Sequence, residues 1–490
     1  MKRTALFFLT ALILLVLAAG GVLTLRVAPP ARLTLESEAA ALGRKSPVSV
    51  VAEGGGRGLT AVRLELVQGD HVQVLEEKKF AARPPWAFWG PRTERVVLRT
   101  DAGSEKVPAL KGGEAVLRAV SERAGTWLLH PAPVVAEKAL PVRLTPPTLA
   151  LLSIQHYVTQ GGAEAVVYRA GPTSVRDGVQ AGEWFFPGFP LPGGGKEDRF
   201  AFFAVPYDLA DVKGVRLFAE DDVSNRIEVA FVDRFTPRPF ARDRIELDDS
   251  FLQKVVPEII SHTPEEKDRG SLLDTYLAIN REMRAQNAKV LQDLGGRSSP
   301  HFLWKQAFLP LSGAKVMSAF ADRRTYVYGG REVDQQYHLG FDLAATRSIP
   351  IPAANDGTVV LSRYFGIYGN AIVLDHGYGL MTLYGHLSSL DVAEGTEVKR
   401  GATIGRSGAT GLAAGDHLHF TTLLAGLPVN PIEWWDDHWV HDRIASKLGA
   451  AFPYVAAAPE PAKAKASAKG KSKAKTSGKA PAKKPSRKPR

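Results

Sequence analysis

Between Ala5 and Leu25 the chain runs for 21 residues without a charge, and Thr10 and Thr24 are its only polar interruptions. In an α-helix this stretch spans roughly 30 Å, the thickness of a bilayer core. Such a segment has no place on the surface of a water-soluble domain. It predicts a transmembrane signal-anchor over residues 1–26. A cleaved signal peptide is the rival reading, with Leu17-Ala18-Ala19-Gly20 as a weak small-x-small site. Lys2 and Arg3 are answered by Arg26, Arg32, Arg44 and Lys45 on the other side, so charge alone does not orient the segment.

The 490 residues contain no cysteine, which excludes disulfides, thiolate nucleophiles, cysteine-held zinc and a lipidated cysteine anchor. Any metal must be held by His, Asp or Glu. The net charge of +11 is not spread along the chain. From Glu460 to Arg490 there are 12 Lys and Arg against one acid, whereas residues 1–459 carry 50 bases and 50 acids. That Lys/Ala/Pro-rich tail, 456–490, lacks the apolar residues needed to offset its ordering entropy and is expected to be disordered. It reads either as a solubilising tail or as a polyanion-binding arm, with lipid headgroups, wall polymers and nucleic acid as the possible anions.

From about Ala31 to Phe240, short alternating or β-branched runs such as Val48 to Val51, Ala61 to Val67 and Ala115 to Val120 are punctuated by Gly and Pro. The spacing predicts two β-sandwich modules of immunoglobulin-like type, 27–145 and 146–241, acting as spacers or partner-binding units. His71, His130 and His156 read as ordinary surface or core histidines. Between Ile245 and Leu294 the period becomes helical, with Ser271 and Asp274 resembling a capping box and Gly295-Gly296 a stop. This predicts a helical connector, 242–300, packed on its neighbours or lying over the following domain.

Eight of the 12 histidines lie between His301 and His441. In His417-Leu418-His419 the two imidazoles are at i and i+2, on one face of a strand and roughly 7 Å apart. In His338-Leu339-Gly340-Phe341-Asp342 the outer residues would be roughly 13 Å apart on a straight strand, so a bend at Gly340 is needed to bring them to one centre. His338, Asp342 and one histidine of the later pair would make two imidazoles and a carboxylate, the ligand count of catalytic zinc with a fourth position open. No H-E-x-x-H is present, so proton transfer would fall to His386 and the unused histidine of the pair.

These motifs occur in order with Asp356-Gly357-Thr358-Val359, Tyr368-Gly369-Asn370, Leu383-Tyr384-Gly385-His386-Leu387, and a glycine-rich run from Val398 to Gly411. Over residues 312–433 this series closely resembles the lysostaphin/LytM family of zinc endopeptidases. The resemblance implies His338, Asp342 and His419 as ligands of one zinc ion, with His417 and His386 as the catalytic pair. It also implies a compact antiparallel β peptidase domain, about 301–445, with a narrow groove cut by loops near 320–336, 362–368 and 406–415. Two departures stand out: Asp416 before H-L-H, expected to favour the charged form of His417 or to point to solvent, and Tyr337 in place of a frequent Arg. His376 reads as a hairpin-turn residue without a catalytic role, and Trp434-Trp435 as packing.

The fold class that follows is mainly β: anchor helix, two β modules, helical connector, peptidase domain and basic tail. The resemblance implies hydrolysis of peptide bonds in peptidoglycan stems or cross-bridges, hence a single-pass protein of the cytoplasmic membrane with its catalytic domain outside, in periplasm or cell wall. Anionic lipid or wall polymer is then the expected partner of the tail, with no role for nucleic acid. Two other readings stand: an inactive scaffold that binds and activates other wall hydrolases, and a polyanion-binding anchor whose peptidase domain is secondary.

Overall fold

The computed structural model describes residues 2–456, and the basic tail beyond them lies outside the described residues. Helix α1 spans Lys2–Leu25 as one uninterrupted element. None of the residues in its apolar stretch is buried by the rest of the chain, and it is long and apolar enough to cross a bilayer.

The first β region consists of a three-stranded sheet (Arg32–Ser37, Ser46–Glu53, Arg95–Ala102) and a four-stranded sheet ordered His71–Lys79, Leu59–Gln68, Gly113–Arg123, Val134–Val142. Alternation decides which side chains meet. Val48, Val50 and Ala52 point inward from one sheet, Leu64, Leu66 and Leu117 from the other, and together they form a core of their own.

The second β region has two four-stranded sheets and a short two-stranded one, and its strands Ala163–Ala170 and Asp198–Ala204 are buried almost continuously instead of at every second residue. The reason is that both faces are covered. One faces its companion sheet, and the other packs on the C-terminal domain: Phe200 stacks on Phe302 at 5.7 Å, Phe200 meets Tyr378 at 4.9 Å, and Phe202 meets Trp434 at 6.3 Å. A single hydrophobic core therefore runs through both.

One polar group is pinned in this joint. Glu433 accepts hydrogen bonds from Thr159 Oγ1 (2.7 Å) and Ala163 N (2.8 Å). Burial pushes its carboxyl up to about 7 from an ordinary 4.5, against the opposing pull of those bonds and of Arg238 and Arg443. The folded chain thus holds this proton more tightly than the unfolded chain does. Stability is lost as pH rises from about 4.5 to about 7, by roughly 3 kcal/mol for this group. Glu433→Gln is expected to remove that part of the pH dependence, read as urea midpoints of wild type and variant at pH 5 and pH 8; parallel midpoints would refute it.

The connector begins differently from its sequence reading. Ile245 and Leu247 belong to a strand, Arg242–Leu247, paired in parallel with Asp322–Tyr328. Ile245 and Leu247 alternate with charged neighbours, a period of two that the helical pattern beyond it masks. The helices follow: α2 (Asp249–His262), capped by Asp248 accepting from Phe251 N at 2.7 Å; α3 (Leu272–Ala278), capped by Ser271 accepting from Asp274 N; and α4 (Arg284–Gly295), ending at the glycine pair. A π-helical turn, Ile279–Met283, joins α3 to α4.

The C-terminal domain is built on an eight-stranded antiparallel sheet whose central strands are Phe341–Ala344, Leu418–Leu424, Leu380–Leu387 and Asn370–Gly377. The hairpin Asp322–Tyr328/Arg331–His338, continued by the connector strand, flanks it.

Candidate active site

Sheet register brings the histidines together. Asp342 stands opposite His419 on the neighbouring strand, and Gly385, next to His386, stands opposite His419 on the other side. His338 ends its strand, and the chain turns through Leu339-Gly340 into Phe341–Ala344. Gly340 is required for a reason other than a special backbone angle. A Cβ there would lie 2.6 Å from both His419 Nε2 and Thr421 Oγ1.

His338 Nε2, Asp342 Oδ1 and His419 Nδ1 converge, with mutual separations of 2.9, 3.0 and 3.2 Å. They are the one group of three or more His, Asp or Glu side chains among the described residues with ligand atoms so disposed. The remaining bonds fix what those atoms can do. His338 Nδ1 faces the Ala319 carbonyl at 3.0 Å, so it carries the proton and leaves Nε2 as a lone pair. Thr421 donates its hydroxyl to Leu339 O, so it accepts from His419 Nε2–H and leaves Nδ1 as a lone pair. Arg324 donates to the other Asp342 oxygen, Oδ2, at 2.8 Å. Three acceptors thus point at one spot with no donor among them. Tetrahedral ligand atoms about 2.1 Å from a zinc ion lie roughly 3.4 Å apart, close to the spacing found, so the donor set fits a cation of that kind.

His417 and His386 stand beside this spot. Each donates Nδ1–H to a backbone carbonyl, Gly415 O and Thr410 O respectively, both at 2.8 Å, which leaves Nε2 as the nitrogen of each ring free to exchange a proton. Their rings are 4.8 Å apart, and His417 Nε2 is 3.4 Å from Asp342 Oδ1. His386 has φ +62°, strained for a residue with a Cβ. Its backbone is held by the motif around it: Thr410 Oγ1 donates to Leu387 O and accepts from Asn370 N, and Asn370 Nδ2 donates to Leu387 O.

The protein's own groups push these sites apart electrostatically. Burial works to raise the Asp342 carboxyl, but His338, His417 and His419 outweigh it and hold it well below the usual range. Burial, with His417 and His419 adding to it, holds His386 well below the usual imidazole value, and burial brings His419 down to about 4. His417 is also buried, yet its bond to Asp342 carries it above the ordinary value.

Other residues read from sequence fall elsewhere. His376 is not in the turn but near the end of a strand, buried between Asp356 O and Thr382 Oγ1, because the strand runs on through Gly377 and the hairpin turns at Tyr378-Gly379. Asp416 neither pairs with His417 nor points to solvent: it accepts from Ser407 Oγ and Ser348 N, tying two loops together. Tyr337 packs on Tyr207 of the second β region at 4.9 Å. Trp434 is fully buried against Trp304 and Phe308.

Sequence reasoning allowed the connector to lie over the following domain but named none of its residues as the far wall of the cleft. A cavity of about 370 Å³ opens over the five residues, and Glu246, Asp248, Phe251, Tyr276 and Arg284 of the connector line it. Helix α2 is fastened to two of the groove loops, near 362–368 and 406–415: Lys254 Nζ donates to Ala413 O and Ala414 O, Glu258 Oε1 accepts from Gly411 N and Tyr364 OH, and His262 stacks on Tyr364 at 4.3 Å. Asn287 of α4 accepts from Ile367 N. Arg324 and these connector residues carry no sequence signal, because their partners lie from 18 to 160 residues away.

Comparison with known proteins places this geometry. Residues 336–431 match Peptidase family M23. The chain is similar to the DD-carboxypeptidase/endopeptidase Mpg of Neisseria meningitidis, 35% identical over 30% of this chain and 31% of that protein. It is also similar to the peptidoglycan DD-endopeptidase ShyA of Vibrio cholerae, 32% identical over 34% of this chain and 36% of that protein. The matches thus span about a third of the length of these relatives. Among solved structures, the catalytic domain of lysostaphin from Staphylococcus simulans aligns at 23% identity with a TM-score of 0.20, covering 29% of this chain and 96% of that domain. Over residues 336–431, the stretch that holds all five of these side chains, the chain is therefore similar to Peptidase family M23.

Proposed function

We propose that the protein is a zinc-dependent endopeptidase that hydrolyses peptide bonds in peptidoglycan stems or cross-bridges, held in the cytoplasmic membrane by α1 with the rest of the described chain outside. The observation that carries this reading is the convergence of three lone-pair donors beside two histidines whose Nε2 atoms face the same spot. His338, Asp342 and His419 would hold one zinc ion, which when bound supplies Lewis acidity toward a peptide carbonyl and acidifies water. His386 and His417 share the proton work: one Nε2 takes the proton of the attacking water, and one returns a proton to the leaving amine. The histidine that has taken the water proton can donate it to the carbonyl oxygen as that oxygen gains charge.

The scaffold alternative requires a broken site. No ligand position and no catalytic histidine is missing here, which favours the enzyme. The β regions are read as immunoglobulin-like, the first as a spacer at the membrane and the second as part of the catalytic body. The tail is assigned to anionic lipid or wall polymer outside the cytoplasm. Mass spectrometry of fragments released from purified sacculi tests the central claim: new amino termini on stem peptides support it, and glycan cleavage or no release refutes it.

The connector, fastened to the groove loops near 362–368 and 406–415, governs access to the cleft. Lys254→Ala/Glu258→Ala removes the bonds to Ala413, Ala414, Gly411 and Tyr364. Release of an element coupled by about 1.4 kcal/mol raises turnover of sacculi roughly tenfold. An unchanged or lower rate would show that α2 does not restrict the groove.

A further inference from the structure

The first β region carries a set of large apolar side chains that its own core does not use. Trp86, Phe88 and Trp89 project from the segment 80–93, and Trp127 and Leu128 from the segment 124–133; Trp89 is 79% exposed and Trp127 75%. A concentration of this kind marks an interaction surface. The two segments are also built to present it. Arg57 donates from Nε to Arg83 O at 2.7 Å and from Nη1 to Gly125 O, joining one loop to the other. Arg83 donates to the carbonyls of Phe88 and Gly90, and Thr126 closes a turn on Leu129 through both its N–H and its hydroxyl, leaving Trp127 and Leu128 at the tip.

The position of these loops identifies the occupant. Arg26, directly after α1, donates to Pro85 O (2.8 Å) and Ala87 O (2.9 Å), and its guanidinium lies 3.9 Å over the Phe88 ring. Thr126 Oγ1 donates to Thr24 O in the last turn of α1 at 2.9 Å. Both loops are therefore fixed at the end of the apolar helix. A helix that spans the bilayer puts its final turn at the headgroup level, and groups bonded to residues 24–26 share that depth. Tryptophan rings favour this depth, with one edge apolar and the indole N–H hydrated. Neither segment contains an acidic residue that anionic headgroups would repel.

We propose that segments 80–93 and 124–133 are a bilayer-docking surface, with Trp86, Phe88, Trp89, Trp127 and Leu128 inserted in the interfacial layer beside α1. The occupant is lipid, neither a second copy nor another protein. The docking holds the first β region flat against the membrane and so sets the direction in which the rest of the chain extends. It rests on the reading of α1 as a membrane anchor, and the experiment separates the two.

Full-length protein is reconstituted into phosphatidylethanolamine/phosphatidylglycerol vesicles, with plain or dibrominated acyl chains, and washed with alkaline carbonate. Three of the eight tryptophans belong to the patch. Bromine is expected to lower total tryptophan emission by roughly a third, and the Trp86→Phe/Trp89→Phe/Trp127→Phe variant, conservative at exposed positions, to abolish most of that loss. Protein that stays with the vesicles but emits equally in both kinds overturns the docking and leaves the anchor standing. Protein removed by carbonate overturns the anchor and the docking with it. Unquenched emission together with cross-linking between copies through these loops assigns the patch to a second copy and likewise overturns the proposal.

Discussion

Asp342→Ala lowers hydrolysis of purified sacculi by roughly 10³-fold or more, and the protein no longer carries stoichiometric zinc. Asp342 is the one carboxylate in the converging set, and its Oδ1 lies within 3.4 Å of three imidazole nitrogens. Its removal costs the metal its anionic ligand and several kcal/mol of stabilisation of the transition state, where 1.36 kcal/mol is a factor of ten. It also leaves the Arg324 guanidinium, which donates to Oδ2, without its counter-charge in a partly buried place. Asp342→Asn, which keeps the shape and an acceptor for Arg324, separates loss of the metal from loss of the fold. Metal analysis beside circular dichroism decides the matter: a folded variant with one zinc ion and near-normal turnover would remove Asp342 from the ligand set. Chelation of the wild type is expected to abolish hydrolysis, and zinc to restore it.

His386→Asn and His417→Ala each lower kcat/KM by roughly 10²–10⁴-fold while the zinc content stays at one per chain. The split between the two readouts is the point, since loss of His338 or His419 removes both. Asparagine is chosen at 386 because it tolerates the left-handed backbone found there, so the variant loses the imidazole without a change of turn. The double variant is expected to fall little below the worse single one, because the two groups serve one proton path. Zinc loss in either single variant would make that histidine a ligand, and a loss below tenfold would remove it from the reaction.

The site was legible because its information is local. His417-Leu418-His419 and His338 to Asp342 are short spacings, and strand geometry alone puts the first pair on one face. The need for a small residue at 340 was also readable, although the cause is the closeness of His419 and Thr421 instead of a special bend. What could not be read is long-range. Glu258 meets Gly411 across 153 positions and Thr159 meets Glu433 across 274, and nothing in either neighbourhood announces its partner. The strand Arg242–Leu247 was hidden for a related reason: its parallel mate begins 80 residues later, and the helical pattern beyond it dominates any window that contains both. His376 shows a third limit, since a one-residue shift of a turn moves a side chain from solvent to core.

The shared core of the second β region and the eight-stranded sheet bears on how this fold can be handled. Phe302, Tyr378 and Trp434 are covered by Phe200 and Phe202. A protein cut at residue 300 would present those three rings to water and associate through them. The segment that matches Peptidase family M23 is not a portable cassette. The smallest piece that keeps its hydrophobic interior closed starts near residue 146, so truncation, fusion and domain-exchange experiments must carry the second β region along with the histidines.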